Sequence, residues 1–377
     1  MTVTVEEALV VRSPSDREYR RFVADVYAHD PFLRRINEPF LNAFLGHRDM
    51  YARRCFVKPV MVTANCPERA KNVPSPCHTR PLAAAILVSS LDSPVLRISF
   101  LEFVPDAGPA LEYLVKYAIQ VARDRGLTSI SIGVNGQINY GVGILEHDGT
   151  ARPEFNSTYN PPYYAPLLDA VADKLGFTKT PAHAYTFTPE ELEAIRDDDL
   201  MAHLASTYTY RVFDKRRWRE ESLLFGELCD KTLTGTPRYS PKSAREMAET
   251  ISPMRWIMGP SDIVFAYKGD EPVGTVYGHP DYAENLNSPK TGLLGLALAA
   301  RRKPSTTIIV DFLGVLPQHR RSGLALGMLY TLLALNRARV TRVRSTFVLD
   351  DNLPGHHLSH DRAQEAHRTY AIYEKDL

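Results

Sequence analysis

The chain has 377 residues, 44% hydrophobic and 24% charged, with 45 basic against 44 acidic side chains and a formal net charge of +1. That length exceeds one ordinary core and implies two domains of comparable size, while the composition excludes a disordered chain and the charge balance gives no footprint for nucleic acid or an anionic membrane. No uninterrupted apolar run reaches the roughly 18 residues of a membrane span; the first residues carry no basic-then-apolar leader, and Cys55, Cys66, Cys77 and Cys229 form neither a CxxC pair nor a Cys/His metal spacing, so a soluble cytoplasmic protein with free thiols and no metal is expected.

In chain order, the Pro-rich stretch Asn65–Pro81 reads as loop. Val95–Val104 (VLRISFLEFV) alternates as a strand does and ends in a turn over Pro105–Gly108. A helix is predicted over Pro109–Arg125, with Leu111, Leu114, Val115, Ala118, Ile119 and Ala122 forming one apolar stripe. Pro109 suits a first helical turn, and Gly126 sits where a left-handed cap is expected. A further strand covers Ser129–Val134. Pro153–Pro166 is a Pro-rich loop carrying Tyr159, Asn160, Tyr163 and Tyr164, and His183–Thr188 reads as the closing strand of the first half.

The domain boundary falls between Pro189 and Lys215, giving units 1–195 and 215–377. In the second unit, Ile263–Tyr267 and Val273–Gly278 flank Gly269-Asp270-Glu271-Pro272, a hairpin signal. Then come a strand at Thr306–Val315, a turn at Leu316–Ser322, a helix at Gly323–Ala338 and a strand at Arg342–Leu349. This repeats the strand-turn-helix-strand order of residues 95–134. Both are β-turn-α-β units, whose parallel strands require a right-handed crossover. A duplicated α/β architecture, each copy a central mixed sheet flanked by helices, is the economical reading.

The sharpest local feature is Val315-Leu316-Pro317-Gln318-His319-Arg320-Arg321-Ser322-Gly323-Leu324-Ala325. The first amides of a helix have no intrahelical partner and carry the positive end of its dipole. They make an anion site, and a glycine there lets a phosphate approach the backbone. Alone, R-x-x-G-x-A is a weak signal; its place between a strand and an amphipathic helix, after a hairpin, strengthens it. No GxGxxG follows any predicted strand, so a dinucleotide-binding fold is excluded.

Val315-x-Pro317-x-x-Arg320-x-x-Gly323-x-Ala325 resembles the acetyl-CoA signature of the GNAT superfamily of N-acyltransferases. The likeness is clearest from Ile263 to Leu377. The whole chain resembles a bacterial group of tandem GNAT proteins, through Tyr159-Asn160-Pro161-Pro162-Tyr163-Tyr164, Leu175-Gly176-Phe177, Leu313-Gly314-Val315-Leu316-Pro317, Asp351-Asn352-Leu353-Pro354 and Tyr373-Glu374-Lys375. The resemblance implies two GNAT-like domains in tandem, of which only the second binds an acyl-CoA. Leu313, Gly314 and Val315 would offer backbone groups to pantetheine, with Gly314 at a bulge. Arg320, Arg321, Ser322, Gly323, Leu324 and Ala325 would hold the pyrophosphate, and Asn352 follows the fifth strand.

The implied chemistry is attack by an amine on a thioester, with a base to remove the ammonium proton. Asp311 is the candidate base. The position where many members carry an acidic Tyr is Ser359, beside His357 and His360; Tyr370 and Tyr373 read as core, and the acid is unassigned. In the first half the corresponding turn, Val104-Pro105-Asp106-Ala107-Gly108-Pro109-Ala110, lacks the arginine and carries an acid. That half is expected to bind no CoA and to close the cleft, with Tyr159, Asn160, Tyr163 and Tyr164 as candidate contacts to a small-molecule amine or amino acid. Rival readings are an acyl carrier protein or aminoacyl-tRNA as donor, and a non-catalytic CoA-sensing module.

Overall fold

The computed structural model describes residues 9–30, 38–64, 79–146, 152–236, 238–284, 295, 298, 305–350 and 366–377. Asn352, His357, Ser359, His360, Cys66 and Cys77 lie outside them. The strands are β1 (Leu9–Arg12), β2 (Cys55–Ala64), β3 (Arg80–Ser90), β4 (Val95–Phe103), β5 (Ser129–Ile132), β6 (Ile144–Leu145) and β7 (Thr178–Phe187) in the first half. The second half has β8 (Thr209–Val212), β9 (Ile263–Lys268), β10 (Glu271–Pro280), β11 (Thr307–Val315), β12 (Arg342–Ser345), β13 (Val348–Leu349) and β14 (Ala366–Asp376). The helices are α1 (Asp16–Val26), α2 (Glu38–Leu45), α3 (Met50–Arg53), α4 (Gly108–Asp124) and α5 (Tyr164–Leu175), then α6 (Pro189–Ala194), α7 (Asp198–Thr207), α8 (Trp218–Leu233), α9 (Ala244–Ile251) and α10 (Leu324–Asn336).

All the strands join one sheet in the order β1-β2-β3-β4-β5-β14-β7-β12-β11-β10-β9-β8, with β6 paired to β14 and β13 to β7. The order is a palindrome of two equivalent halves about the β14–β7 pair. In each half one pair is parallel, β4 with β5 and β11 with β12, and a helix crosses between its members. The last strand of each half pairs antiparallel with the other half's parallel strand: β7 lies on β12, and β14 lies on β5. The closing strand expected at His183–Thr188 therefore starts earlier, at Thr178, and borders the second half.

Helices cover both faces of each half-sheet. The α4 stripe is buried as the periodicity required, against β2 to β5 and α5. Gly126 takes a left-handed φ of 68° past the end of α4, a conformation that only glycine adopts without cost. Tyr19, Phe22 and Phe44 of α1 and α2 pack on the opposite face. In the second half, Leu324, Met328 and Leu332 of α10 pack on one face, and Phe225, Leu228 and Met247 of α8 and α9 on the other. The hairpin of β9 and β10 forms as expected. The strand expected over Arg342–Leu349 is broken into β12 and β13, because the chain leaves β11 after Thr346 N donates to Val310 O.

Candidate functional site

β11 is paired on both flanks only up to Val310. On the β12 side the ladder ends at the Val310 and Ser345 pair, whereas on the β10 side it runs on to Val315 opposite Gly274. The two parallel strands diverge there, so among the described residues one flank of Asp311–Val315 faces a wedge and has no strand paired to it. Backbone groups on an unpaired flank need a partner, and a ligand with amides can supply one. The register across β10 shifts between Tyr277 and Gly278, which face Phe312 and Val310, leaving Asp311 as the extra residue of a bulge. Gly314, the expected bulge, pairs in regular register with Thr275. Its missing Cβ has a packing reason instead, since a Cβ there would come within 2.5 Å of Thr232 Oγ1. Leu313 and Val315 turn their side chains into the α10 core.

The bulge brings Asp311 to His279 at the end of β10. His279 Nε2 stands 3.5 Å from Asp311 Oδ2, with the imidazole fully buried and the carboxylate 15% exposed. Asn156 Nδ2 donates to the same Oδ2 at 2.8 Å. The other imidazole nitrogen, Nδ1, lies 2.9 Å from Pro280 O, and a carbonyl only accepts. Serving both the carbonyl and the carboxylate therefore requires both nitrogens to be protonated. Burial pushes His279 down, but the Asp311 carboxylate outweighs it and holds the pKa above its ordinary value. At 3.5 Å the contact is an ion pair rather than an aligned hydrogen bond. Phe155 and Tyr282 enclose the ring, edge-on at 5.4 Å and stacked at 5.7 Å.

His279 was not among the residues the sequence singled out. It is the next residue after the Val273–Gly278 run, two places from Tyr277 on one face, but only the bulge at Asp311 makes the pair.

Beyond β11, Pro317–His319 forms a single 3-10 turn and α10 starts at Leu324. Arg321 and Gly323 have left-handed φ values of 64° and 82° on the way into α10. Ser322 Oγ accepts from Leu324 N at 3.3 Å. The Arg320 guanidinium turns back onto Val315 O and Thr232 O, at 3.3 and 2.9 Å; it braces the loop, while Arg321 is exposed. A Cβ on Gly323 would lie 2.9 Å from Leu200 of α7, so both its φ and this contact require glycine. Ala325 follows in the first turn.

The first half repeats the wedge but fills it. Pairing of β4 with β5 ends at Ile98 and Ile132, and a register shift between Ala84 and Ile86 bulges β4 at Phe100 and Leu101. Asn135 Oδ1 accepts from Phe100 N at 2.7 Å, and Tyr19 Oη donates to Phe100 O. Tyr164 Oη accepts from Phe103 N at 3.0 Å, and Tyr163 Oη donates to Phe103 O at 2.8 Å. The strand-to-helix turn is also shorter, since α4 begins at Gly108 directly after Ala107.

The Tyr159 to Tyr164 segment is therefore bound to the protein's own groups. Tyr159 Oη donates to Asp30 at 2.6 Å, and Asn160 Oδ1 accepts from Leu145 N at 2.7 Å. Tyr159, Asn160 and Tyr164 also line a cavity whose wall includes Glu102, Phe155 and Asn156. Tyr163 is not in its wall.

Among the described residues no cluster of three His, Cys, Asp or Glu side chains could hold a metal, and no helix is long and apolar enough to cross a membrane.

Residues 228–360 match the acetyltransferase (GNAT) family model. No curated protein matches the chain in sequence. Among solved structures, the chain is similar to the GCN5-related glucosamine N-acetyltransferase region of a fungal multi-domain beta-N-acetylglucosaminidase, with a TM-score of 0.55 and 12% identity; the match covers 99% of this chain but 38% of that one. A tandem GNAT protein from the clavulanic acid biosynthesis pathway matches at a TM-score of 0.50 and 13% identity, over 98% of both chains. A GCN5-related N-acetyltransferase from Sphaerobacter thermophilus matches at a TM-score of 0.50 and 13% identity, over 98% of this chain and 95% of that one. At such identities these likenesses carry the fold alone.

Proposed function

We propose that this chain, whose residues 228–360 match the acetyltransferase (GNAT) family model and whose fold is that of a tandem GNAT protein, is an acyl-CoA-dependent N-acyltransferase acting on a small-molecule amine. The observation that carries this reading is the one-sided pairing of β11. Among the described residues no strand pairs its flank from Asp311 to Val315 on the β12 side, and it leads to the turn and the first residues of α10. A pantetheine chain is an extended string of amides ending in a pyrophosphate, and such a flank and helix head complement it in that order.

The amine reaches the thioester as an ammonium and must lose a proton to become a nucleophile. Asp311 is the acceptor of that proton. Asn156 and His279 both engage its Oδ2, which leaves Oδ1 for the substrate. The nitrogen then attacks the thioester carbon, the new C–N bond forms, the C–S bond breaks to release CoA thiolate, and the second proton lost by the nitrogen passes through water to that thiolate. Buried His279 would hold the carboxylate ionised and in place. In the first half, the flank that would bind pantetheine is satisfied by Tyr19, Asn135, Tyr163 and Tyr164, which supports a single donor site per chain.

The test is calorimetry with acetyl-CoA and longer acyl-CoAs on the full chain. Micromolar binding is expected, abolished by Gly323→Glu. Arg321→Glu, at an exposed position, gives the same reading if the glycine variant fails to fold. No binding by any acyl-CoA would overturn the proposal and favour a carrier-protein or aminoacyl-tRNA donor. Binding without turnover of any amine would favour a CoA-sensing role.

A further inference from the structure

The cavity in the first half holds a carboxyl group that nothing in the proposed mechanism uses. Glu102 lies on β4 just past the bulge, with part of its surface open to the cavity and the rest deep in the protein. Tyr164 Oη lies 2.6 Å from Glu102 Oε2, and the Tyr27 hydroxyl also bonds the carboxyl. Among the described residues no Lys, Arg or His stands within ion-pair distance of it. A buried carboxylate without a counter-cation is costly, and the cavity it lines is also walled by Tyr19, Tyr27, Phe100 and Tyr159. Of the two carboxylates that line the cavity, Glu154 is already held by Arg344 and Arg368, and aromatic walls beside a carboxylate that has no cation are the surroundings an organic ammonium prefers.

The same cavity is also lined by Asn156, whose amide holds Asp311. Its wall therefore includes both an unneutralised carboxylate and the residue that anchors the candidate base. We infer that this cavity is the acceptor site and that its ligand is a diamine or polyamine, one ammonium seated on Glu102 and the other amine presented beside Asn156. The inference rests on the acyl-transfer reading. The chemistry it adds is the ligand's second positive charge.

Burial pushes Glu102 up to about 7, against the pull of the Tyr164 and Tyr27 hydroxyls. The groups around it are Tyr19 of α1 and Tyr27 just past its end, Tyr163 and Tyr164 at the head of α5, the Asp30 carboxylate bonded to Tyr159, and Glu154 of the same cavity wall, held ionised against its burial by His367, Arg368 and Arg344. Burial raises the pKa of each of these tyrosines, so they stay neutral. A cation on Glu102 requires the ionised form, and its affinity falls as pH drops below about 7.

The experiment is calorimetry on the full chain with 1,4-diaminobutane, with 1-aminobutane as a singly charged control and acetyl-CoA titrated in parallel. Diamine binding is expected, at least about tenfold tighter than the monoamine and weakening from about pH 8 to about pH 6. Glu102→Gln keeps the size of the side chain and should lose about tenfold or more of the diamine affinity while keeping that for acetyl-CoA. Equal affinity for the two amines, or a Gln variant that binds diamine like the parent, overturns the inference. If that variant does not fold, the monoamine and pH comparisons on the parent chain decide it. Acetyl-CoA binding without diamine binding sinks this inference alone; failure of both sinks the acyl-transfer reading with it.

Discussion

His279 has two nitrogens and two acceptors, and its burial gives it no water to turn to. Replacing it by Gln leaves one amide donor for a site that needs two, and removes the positive charge facing Asp311. The expected outcome is a fall in kcat of roughly 10- to 100-fold, with little change in the KM for acetyl-CoA and an altered acid limb of the pH–rate profile. A merely structural histidine would leave that limb unchanged. Glu102 makes a stability prediction. Its folded pKa of about 7 lies above the ordinary 4.5, so the folded state holds a proton that the unfolded chain has released between those values. Its contribution is fully present below about pH 4.5 and lost as pH rises through about 7. Urea denaturation of Glu102→Gln should show a flatter decline across that window than the parent chain. Lys242 acts in the opposite sense. Burial lowers it from 10.5 to about 7, with the neighbouring Asp49 and Glu246 pulling upward. Its contribution is present above the ordinary lysine value and lost as pH falls through about 7.

At the scale of the element, the two wedges have one geometry and opposite fates. Asn135 and Tyr164 supply in the first half the partners that a ligand's amides would supply in the second. Asn135→Ala would strip the Phe100 amide of its acceptor, at a cost of about 1–3 kcal/mol for a buried unsatisfied donor, readable as a lowered denaturation midpoint with no loss of acetyl-CoA binding. The helical elements were legible in the sequence because their signals are local: the α4 stripe, Gly126 after it, and the Leu316–Ser322 turn before α10, which begins one residue later than expected, at Leu324. The bulge was not legible. The sequence pointed to Gly314 as the bulge, yet glycine there answers to Thr232, and the extra residue is Asp311. A bulge depends on how two strands align, and no single strand's sequence records it.

At the scale of the molecule, the sheet is continuous because each half completes the other. β14 fills the gap between β5 and β7, and its Tyr373 is fully buried in the first half's core. We propose 1–195 and 215–377 as the two units of the chain, tied by this exchange. Residues 1–195 expressed alone would leave β5 and β7 with bare edges, a template for aggregation. The expected result is insoluble or oligomeric material, made soluble by co-expression of residues 215–377. A monomeric, cooperatively folding 1–195 would show that β14 is dispensable. Further contacts join the halves: Arg54 pairs with Glu246 at 2.6 Å, and Arg238 donates to Thr180 Oγ1 at 3.2 Å. Glu154 carries Arg344 and Arg368 on its two oxygens. Burial would raise its pKa, but His367, Arg368 and Arg344 together hold it at about 2.

The sequence by itself determined the two repeats, the turn that opens α10 and the carboxylate at Asp311, because each is written in residues close along the chain. The tertiary structure alone decided which strand lies beside which, that Asn156 and His279 meet Asp311 from distant segments, and that Glu102 looks into a cavity without a cation. These are long-range pairings. They depend on the wedge between diverging strands and on the crossing of β7 and β14, where the neighbours are set by packing rather than by spacing.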